Sequence, residues 1–589
     1  MKAFDFETSD LAGKISDVKS KVGSLAFIRL AIFIGMGISF VLTFSQSLLW
    51  FFPLIAASAL FVISVQRYNF LKDQEAIYLA LTSILNNAEK RNSRTLQGID
   101  PGAEFQDKNH PFANDLDLFG DHSLFQLVNH TVSKGAKVKL AENMKAPFDS
   151  QKAILFQEAS AELGDHPTFL RAMESIGKAF YSDEKSNKNW QQWLDEKKPV
   201  STFNTIFAFL GPLGGLSIIV FVALGIIPAA FLGLWILLGL IPLGLVFQPL
   251  KKASEKLPSR QQLKAFTTWL VVLEKMNFSS DFLKEKQSLI LTESESASHL
   301  FHQLDRLGLW IDNRLNILYI PFNLLLWTDL FLYRKLQLWM NHHGHELSRI
   351  PEVLEDWEIL VSLGSFEYEL GSSGNITWTE DSILTAEAIA HPLLKPDTAI
   401  ANDFSLGDQK RFILLTGANM SGKTTFMRTL GINCVMANMG LKPFAKNLLL
   451  GQFQLYTSMR NTDNLGESVS SFYAELSRIH QLIERLEKGE AIFFLLDEIL
   501  KGTNTEDRIA GSEALVRQVA KTKALGIVST HDIELSALEE KIDTVENRSF
   551  HSEILDNTIN FDYKLKAGAC PSFNAHKLME LMGIRFQDQ

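Results

Sequence analysis

Residues 411–431 read RFILLTGANMSGKTTFMRTLG, and this stretch decides the fold of the C-terminal part of the chain. It joins a short apolar run to a helix-forming segment through residues 417–424, which fit the pattern GxxxxGK[ST]. A strand, a glycine-rich turn and a helix in this order bind phosphate, because backbone N–H groups and the helix N-terminus surround the phosphate oxygens. The sequence therefore predicts a nucleotide-binding α/β domain.

The residues of this turn have distinct predicted roles. We expect Lys423 to reach the β- and γ-phosphates of ATP and Thr424 to ligate Mg²⁺. The alternative, a chance match in a glycine-rich turn, is disfavoured by the strand and helix on either side. The predicted ATP-binding residues are Gly417, Asn419, Ser421, Gly422, Lys423, Thr424 and Thr425.

Two acidic residues follow a second apolar run. Residues 491–496 and 525–530 resemble buried strands that would lie parallel to residues 411–416. An aspartate at the tip of such a strand suits Mg²⁺, so Asp497 is a predicted metal ligand. The adjacent Glu498 is a candidate general base for the attacking water. The alternative is that the two acids are solvated charges at a strand end.

A histidine follows the third predicted strand. His531 lies between Thr530 and Asp532, where an imidazole can hydrogen-bond a γ-phosphate or position the water. A single histidine is often structural, but its place at the strand end favours a catalytic role beside Glu498.

Two long uncharged runs lie outside this domain, from Arg29 to Arg67 and from Lys198 to Lys251. Each is too long for one membrane crossing and fits two helices of roughly 20 residues. We predict two transmembrane hairpins, with spans at residues 26–44, 48–65, 205–227 and 229–247. A signal peptide would explain only one run, and buried core helices usually keep a polar face.

Lysines and arginines flank both hairpins, whereas the turns inside them carry no charge. This distribution predicts a multi-pass protein of the inner (cytoplasmic) membrane, with both termini and the soluble domains in the cytoplasm. A third apolar stretch, residues 315–327, is shorter, and we expect it to be a buried core helix.

Residues 68–199 and 251–378 are rich in Leu, Glu, Lys and Gln at helical spacing. The predicted fold is an α-helical core plus a C-terminal α/β P-loop NTPase domain, with two transmembrane helical hairpins. The predicted domains are an N-terminal cytoplasmic segment (1–25), hairpin 1 (26–66), the first part of the core (67–199), hairpin 2 (200–250), the second part of the core (251–380) and the ATPase domain (381–589).

Composition limits the other functions. The net charge of −10 argues against bulk affinity for nucleic acid. Lys90, Arg91 and Arg94 form a small basic cluster, which we interpret as a solvated helix end. The two cysteines form no CxxC or Cys/His cluster, so a bound metal would be held by oxygens.

Three motifs carry a resemblance to a known family. Residues 416–431, 495–508 (LLDEILKGTNTEDR) and 529–535 (STHDIEL) resemble the ATPase domain of the MutS family, a MutS/ABC-like fold. Residues 470–475 (SSFYAE) are similar to that family's S-T-F-x-x-E motif. The resemblance implies that Ser470 reaches the nucleotide of a partner subunit and that a homodimer forms composite ATP sites; by itself, Ser470 would be a helix cap.

The resemblance extends upstream to residues 110–140 and 390–394, which are similar to the start of the family's core domain and to the segment entering its ATPase domain. Leu500, Lys501 and Glu506 stand where bacterial mismatch-repair members have Gly, Arg and Phe, which indicates a divergent branch. The mismatch-recognition domain is expected to be lacking. Hairpin 2 occupies the topological place of the family's DNA clamp.

Three functions remain open. The first is a membrane-anchored MutS-like ATPase whose nucleotide cycle moves core levers and hairpins for an unknown client. The second is a membrane-tethered sensor of mismatched or branched DNA, which the sequence itself does not support. The third, an ATP-driven transporter, is disfavoured because the hairpins hold almost no polar or charged residues.

Overall fold

The computed structural model describes residues 4–182, 190–197, 199–291, 295–371, 374–460, 471–555 and 558–571, apart from the side chains of residues 471, 553–555 and 558–559. The chain divides into two compact units. One contains residues 1–85, 131–136 and 168–359, and the other contains residues 86–130, 137–167 and 360–589. The predicted domain boundaries stay a prediction.

The first unit is helical in the part of the chain that the structure describes. Some of its helices continue into the second unit. Its helices are α1 (Leu11–Ser45), α2 (Phe51–Asn92, to residue 85), α4 (Lys134–Lys145, to residue 136), α6 (Pro167–Phe180), α7 (Trp190–Asp195), α8 (Thr202–Ala223), α9 (Ala230–Lys256), α10 (Arg260–Glu274), α11 (Asp281–Ser288), α12 (Ala297–Asp312), α13 (Tyr319–Leu326) and α14 (Thr328–Leu370, to residue 359).

Four of these helices are long and apolar enough to cross a membrane: α1, α8, α9 and the continuous helix from Leu48 that includes α2. Of the most apolar 18 residues in each, between 6% and 22% are buried. Short turns join them in pairs, one at Gln46 and Ser47 and the other between α8 and α9. The four apolar helices predicted from the sequence are therefore present.

Arg29 is the charged residue inside the first predicted span. The structure places its guanidinium 4.5 Å from the centre of the Tyr68 ring on α2. A cation over an aromatic face is stabilised by the ring quadrupole. The hairpin thus shields its own charge.

The prediction of a buried core helix at residues 315–327 is wrong. The helix α13 forms there, but Leu315, Ile317 and Leu318 are 83%, 80% and 74% exposed. Its contacts are with α8 and α9. Sequence alone could not separate the two cases, because a short apolar run suits either a core helix or a segment that lies in a membrane.

The second unit is built on two β-sheets. A four-stranded sheet has the order β1-β5-β2-β3, and a six-stranded sheet has the order β10-β9-β4-β8-β7-β6. The strands are β1 (Asn375–Trp378), β2 (Leu384–Ile389), β3 (Asn402–Leu406), β4 (Phe412–Gly417), β5 (Asn447–Leu450), β6 (Gln454–Ser458), β7 (Ile492–Asp497), β8 (Leu525–Thr530), β9 (Val545–Leu555) and β10 (Thr558–Ala567).

Helices accompany these sheets. They include α3 (Leu124–Val128), α5 (Ser150–Gly164), α15 (Lys423–Asn438), α16 (Ser471–Glu487), α17 (Thr505–Val519) and α18 (Leu538–Lys541). In the larger sheet β9, β4, β8, β7 and β6 are parallel, and β10 is antiparallel to β9. The three predicted parallel strands are confirmed as β4, β7 and β8.

The core of this sheet is apolar on both faces. Side chains of β4, β7 and β8 pack with α16 and α17, and Leu414, Phe494 and Val528 are fully buried among them. Strands buried on both faces read as continuous apolar runs, which is why they could be recognised in the sequence. Parallel strands bring their carboxyl ends to one edge, and that edge carries the site described below.

The interpretation of Lys90, Arg91 and Arg94 as a solvated cluster is wrong for the two arginines. Arg91 is 1% exposed and donates hydrogen bonds to the carbonyl oxygens of Gln126 and Asn129. Arg94 is also buried, and its Nε donates to the Pro392 carbonyl at 2.6 Å. These guanidinium groups hold the helical part of the second unit together and are not available to a nucleic acid.

Candidate nucleotide-binding site

The phosphate loop connects β4 to α15. Gly422 is the N-cap of α15 with φ of 104°, a conformation that L side chains rarely adopt. A Cβ on Gly417 would lie 2.7 Å from the Phe550 carbonyl oxygen, which no real side chain tolerates. The two glycines therefore allow the loop to turn tightly around the N-terminus of α15.

Lys423 lies inside this loop. Its Nζ donates to the carbonyl oxygens of Gly417 at 2.8 Å and Ala418 at 3.1 Å. Burial lowers the pKa of this lysine, and the nearby carboxylates of Glu498 and Asp497 act in the opposite direction. The ammonium is thus held by two neutral carbonyl oxygens, which phosphate oxygens can replace.

A cavity of about 470 Å³ opens over the loop. It is lined by residues of the loop, including Asn419, Ser421 and Thr425, and by residues from other elements such as Asn402 and Tyr563. The Ser421 hydroxyl is buried and has no hydrogen-bond partner among the residues that the structure describes. A buried hydroxyl without a partner fits a site that receives a phosphate oxygen, so the cavity fits the triphosphate of a nucleotide.

Thr424 and Asp497 meet at the edge of the sheet. The Thr424 hydroxyl donates to Asp497 Oδ2 at 2.6 Å, and the Ser529 hydroxyl donates to Asp497 Oδ1. A hydroxyl and a carboxylate are the hard oxygen donors that Mg²⁺ takes, with water and phosphate oxygens completing its coordination. The described residues contain no cluster of three or more His, Cys, Asp or Glu side chains that could hold a metal ion.

Glu498 follows β7 in a left-handed conformation with φ of 49°. Its Oε1 lies 2.6 Å from His531 Nε2, and its Oε2 lies 2.5 Å from Lys501 Nζ. Burial alone would raise the pKa of this carboxyl, but the hydrogen bonds and charges of His531 and Lys501 lower it to about 2. The carboxylate is therefore ionised at neutral pH and clamped between two cationic or polar groups.

The structure brings together the residues predicted from separate motifs. Thr424, Asp497, Glu498 and His531 come from α15, the end of β7, the turn after it and the turn after β8. Ser470 lies outside the described residues. The roles predicted for all these residues remain a proposal.

Sequence reasoning missed the residue that holds the turn after β7. Glu475 on α16 is buried, and its carboxylate accepts a hydrogen bond from the Leu500 backbone N–H. Gly502 in the same turn has no room for a side chain, since a Cβ there would lie 2.5 Å from the Phe472 Cβ. The signal was the glutamate that ends SSFYAE, which our prediction used only for its serine.

A second support holds the turn after β8. Arg508 on α17 forms two hydrogen bonds with the Asp532 carboxylate, at 2.9 and 2.7 Å. A bidentate pair of this kind fixes orientation as well as distance. It therefore positions the peptide that carries His531.

Comparison with protein families supplies the decisive observation, because residues 413–584 match the family model described as MutS domain V. Residues 413–584 are therefore a MutS domain V, which relates this part of the chain to the MutS family. Domain V is the ATPase domain of that family, and the match covers the phosphate loop, Asp497, Glu498 and His531. The family suggested by the three sequence motifs is confirmed.

Relatives named "DNA mismatch repair protein MutS" are similar to part of the chain. The protein of Bacillus subtilis (strain 168) is 34% identical over 193 residues, which cover 31% of this chain and 22% of that protein. The protein of Staphylococcus epidermidis is 27% identical over 301 residues, covering 50% and 31%. The protein of Thermotoga sp. (strain RQ2) is 27% identical over 245 residues, covering 41% and 30%. The chain thus spans about a third or less of the length of these relatives, as expected for a divergent MutS-family member.

Proposed function

We propose that this MutS-family protein is a Mg²⁺-dependent ATPase anchored in a membrane by two helical hairpins. The observation that carries the proposal is the convergence of Lys423, Thr424, Asp497, Glu498 and His531 at the carboxyl edge of one parallel sheet. The four exposed apolar helices of the first unit support the anchor.

The residues would divide the reaction as follows. Lys423, Ser421 and the backbone N–H groups of the loop hold the phosphates, and Thr424 with Asp497 holds the metal. ATP supplies the phosphoryl group. Mg²⁺, when bound, would supply positive charge that neutralises the negative charge of the phosphates. Glu498 accepts the proton of the attacking water, and His531 orients that carboxylate at 2.6 Å.

The proposed assembly is a homodimer with composite ATP sites, in which Ser470 acts across the interface. Met420 supports it, because this residue lies within the phosphate loop and is 83% exposed. A methionine has no use in binding phosphate, but its flexible apolar side chain suits a protein contact. ATP binding would tighten the dimer, and the cycle would move core levers and hairpins for a client that is unknown.

The ATPase proposal is tested with the full chain purified in detergent. Phosphate release should require both ATP and Mg²⁺, and Lys423→Ala should abolish nucleotide binding because it removes the ammonium from the loop. The matched control is Lys521→Ala, an exposed lysine beyond α17. ATP binding by Lys423→Ala at the affinity of the unchanged protein would contradict the assigned site.

Light scattering tests the dimer. The mass in detergent should increase when ATP and Mg²⁺ are added, and Ser470→Ala should weaken the increase. A monomer of constant mass at all nucleotide conditions would contradict the composite site.

A second candidate function, a membrane-tethered DNA sensor in mismatch repair, rests on the names of the matched relatives. The burial of Arg91 and Arg94 and the charge of −10 weigh against it. Binding of perfect, mismatched and branched duplexes at several salt concentrations separates the two candidates. Binding that prefers the mismatched or branched duplex would favour the sensor, and no binding would remove it.

A further inference from the structure

We infer that residues 313–334, here called the re-entrant segment, enter the membrane from the cytoplasmic side, turn within it and leave on the same side. The segment comprises the short 3₁₀ turn that follows α12 (Asn313–Leu315), α13, the turn at Trp327 and the start of α14. Its partner is the acyl-chain region of the lipid bilayer. This inference rests on the proposed membrane anchor and adds a third membrane element to it.

The contacts of the segment with hairpin 2 show how far it extends along the hairpin. The Arg314 guanidinium lies 5.6 Å from the centre of the Phe247 ring, near the end of the apolar part of α9. The Leu325 carbonyl oxygen accepts a hydrogen bond from Trp235 Nε1 at 2.8 Å, near the start of α9. Phe247 and Trp235 are about 18 Å apart along the helix, slightly more than half of a hydrocarbon core about 30 Å thick.

The chain then returns along α8. Trp327 packs against Gly211, where a Cβ would lie 2.7 Å from the Trp327 Cβ. Farther along α14, the Arg334 guanidinium lies 5.1 Å from the centre of the Phe209 ring, and its Nε donates to the Thr205 hydroxyl near the first turn of α8. The segment therefore extends to the middle of the hairpin and comes back to the side where α8 begins and α9 ends.

A non-helical turn at this depth requires that its backbone be covered by protein, because no water is present to hydrogen-bond it. Trp327, which adopts φ of 49°, is 2% exposed. Its ring stacks on Trp235 with the centroids 4.2 Å apart, and its backbone N–H donates to the Asn323 carbonyl at 2.8 Å. Gly239 gives this stack its space, since a Cβ there would lie 2.0 Å from the Trp327 ring nitrogen.

The charged pair of the segment faces protein, although Arg314 Nε and Trp327 Nε1 have no hydrogen-bond partner among the described residues. Asp329 accepts hydrogen bonds from Arg314 at 2.6 Å and from the Tyr319 hydroxyl at 2.9 Å, and its own backbone N–H donates to Asn323 Oδ1 at 2.9 Å. Both members of the ion pair have side chains less than 10% exposed. A charged pair near lipid is tolerated when it faces protein and satisfies its own hydrogen bonds.

The opposite face of α13, together with the residues that precede this helix, is apolar and exposed. Its exposed side chains are Leu315, Ile317, Leu318, Ile320 and Phe322. They continue the exposed apolar surface of α8 and α9, which flank α13. In water such a surface would be costly, at about 25 cal/mol per Å². Acyl chains are the occupant that covers this face and the hairpin together.

Cysteine labelling tests the segment in the full chain. Ile317→Cys and Phe322→Cys place thiols on its apolar face, Leu213→Cys places one on α8, and Lys284→Cys places one on the exposed face of α11. The unchanged protein is the blank, because Cys434 and Cys570 are buried. Membrane fragments open to the reagent on both faces are treated with a membrane-impermeant maleimide, and ATP hydrolysis checks that each variant is folded.

We expect the thiol at residue 284 to be labelled and the thiols at residues 213, 317 and 322 to remain unlabelled in the membrane. All four thiols should react after denaturation in SDS. Labelling of 317 and 322 while 213 is protected would overturn the re-entrant segment and leave the membrane anchor intact. Labelling of residue 213 as well would overturn the anchor and the segment together.

A second measurement separates lipid from a covering protein. The same thiols are labelled with bimane and reconstituted with phospholipids that carry a nitroxide on the acyl chain. We expect the bimane at residues 317 and 322 to be quenched as strongly as the bimane at residue 213. Protected thiols whose bimane is not quenched would contradict lipid contact.

Discussion

Replacing Glu498 with glutamine tests the chemical role of the site most directly. The amide keeps the size of the side chain and can still hydrogen-bond His531, so the turn after β7 should be retained. It cannot accept a proton, because an amide oxygen is a far weaker base than a carboxylate. The variant therefore keeps the geometry of the side chain and removes only its ability to act as a base.

The expected loss follows from the role assigned to the carboxylate. A positioned general base contributes about 10²–10⁴ to the rate, which corresponds to about 3–5 kcal/mol of transition-state stabilisation. Nucleotide binding should be preserved, since the proposed phosphate-binding residues Lys423 and Ser421 make no hydrogen bond to Glu498 in the part of the chain that the structure describes. We therefore expect a lower kcat with an unchanged Kd for ATP.

The assay measures phosphate release at saturating ATP and, separately, equilibrium binding of a fluorescent ATP analogue. Glu487→Gln is the matched control, because Glu487 is an exposed acid at the end of α16. An unchanged kcat in Glu498→Gln would refute the assignment of the base. If ATP binding fell by the same factor as kcat, the idea that Glu498 acts in proton transfer and not in nucleotide binding would be refuted.

Two further predictions concern pH and packing. Removing one cation with Lys501→Met should raise the pKa of Glu498 from about 2 toward the ordinary 4.5, because His531 then remains as its main partner. Since the base acts when deprotonated, the pH at which kcat falls on the acid side should move upward, and a pH–rate profile identical to that of the unchanged protein would contradict the clamp. Gly526→Ala should destabilise the second unit by roughly 1–3 kcal/mol, because its Cβ would lie 2.0 Å from a β7 ring. In a thermal melt, Gly407→Ala should change little, since its Cβ would meet neighbours at 3.5 Å; equal shifts would show that this packing argument is wrong.

The parts of the site that the sequence could predict are those with local signals. The phosphate loop, Asp497 and His531 each follow a continuous apolar strand, and parallel pairing brings their carboxyl ends to one edge. Local patterns thus specified both the fold of the domain and the side chains that meet there.

What could not be predicted depends on contacts between distant segments. The hydrogen bond from Leu500 to Glu475 and the ion pair between Lys501 and Glu498 depend on how α16 and the turn after β7 pack. The burial of Arg91 depends on carbonyl groups of a different segment. Composition shows a basic residue, but only packing decides whether its charge faces solvent.

Lys501, one of the three residues that differ from the expected bacterial mismatch-repair pattern, forms an ion pair with the proposed base. Lys501 pairs with the carboxylate that is proposed to accept the proton, so this group is ionised and its charge is balanced by Lys501 before nucleotide binds. A γ-phosphate carries the negative charge that competes for Lys501 and His531. Entry of ATP would therefore weaken the clamp on Glu498 as it supplies the substrate.

The helix α16 connects this event to the proposed dimer. It begins at Ser471, immediately after Ser470, and it carries Glu475, which holds the turn beside Glu498. If Ser470 contacts the nucleotide of a partner, any displacement of α16 moves Leu500 and hence the position of the base. Glu475 lies near the start of α16, so a displacement of this end of the helix would move the glutamate as well. Hydrolysis in one subunit would then depend on the nucleotide bound by the other.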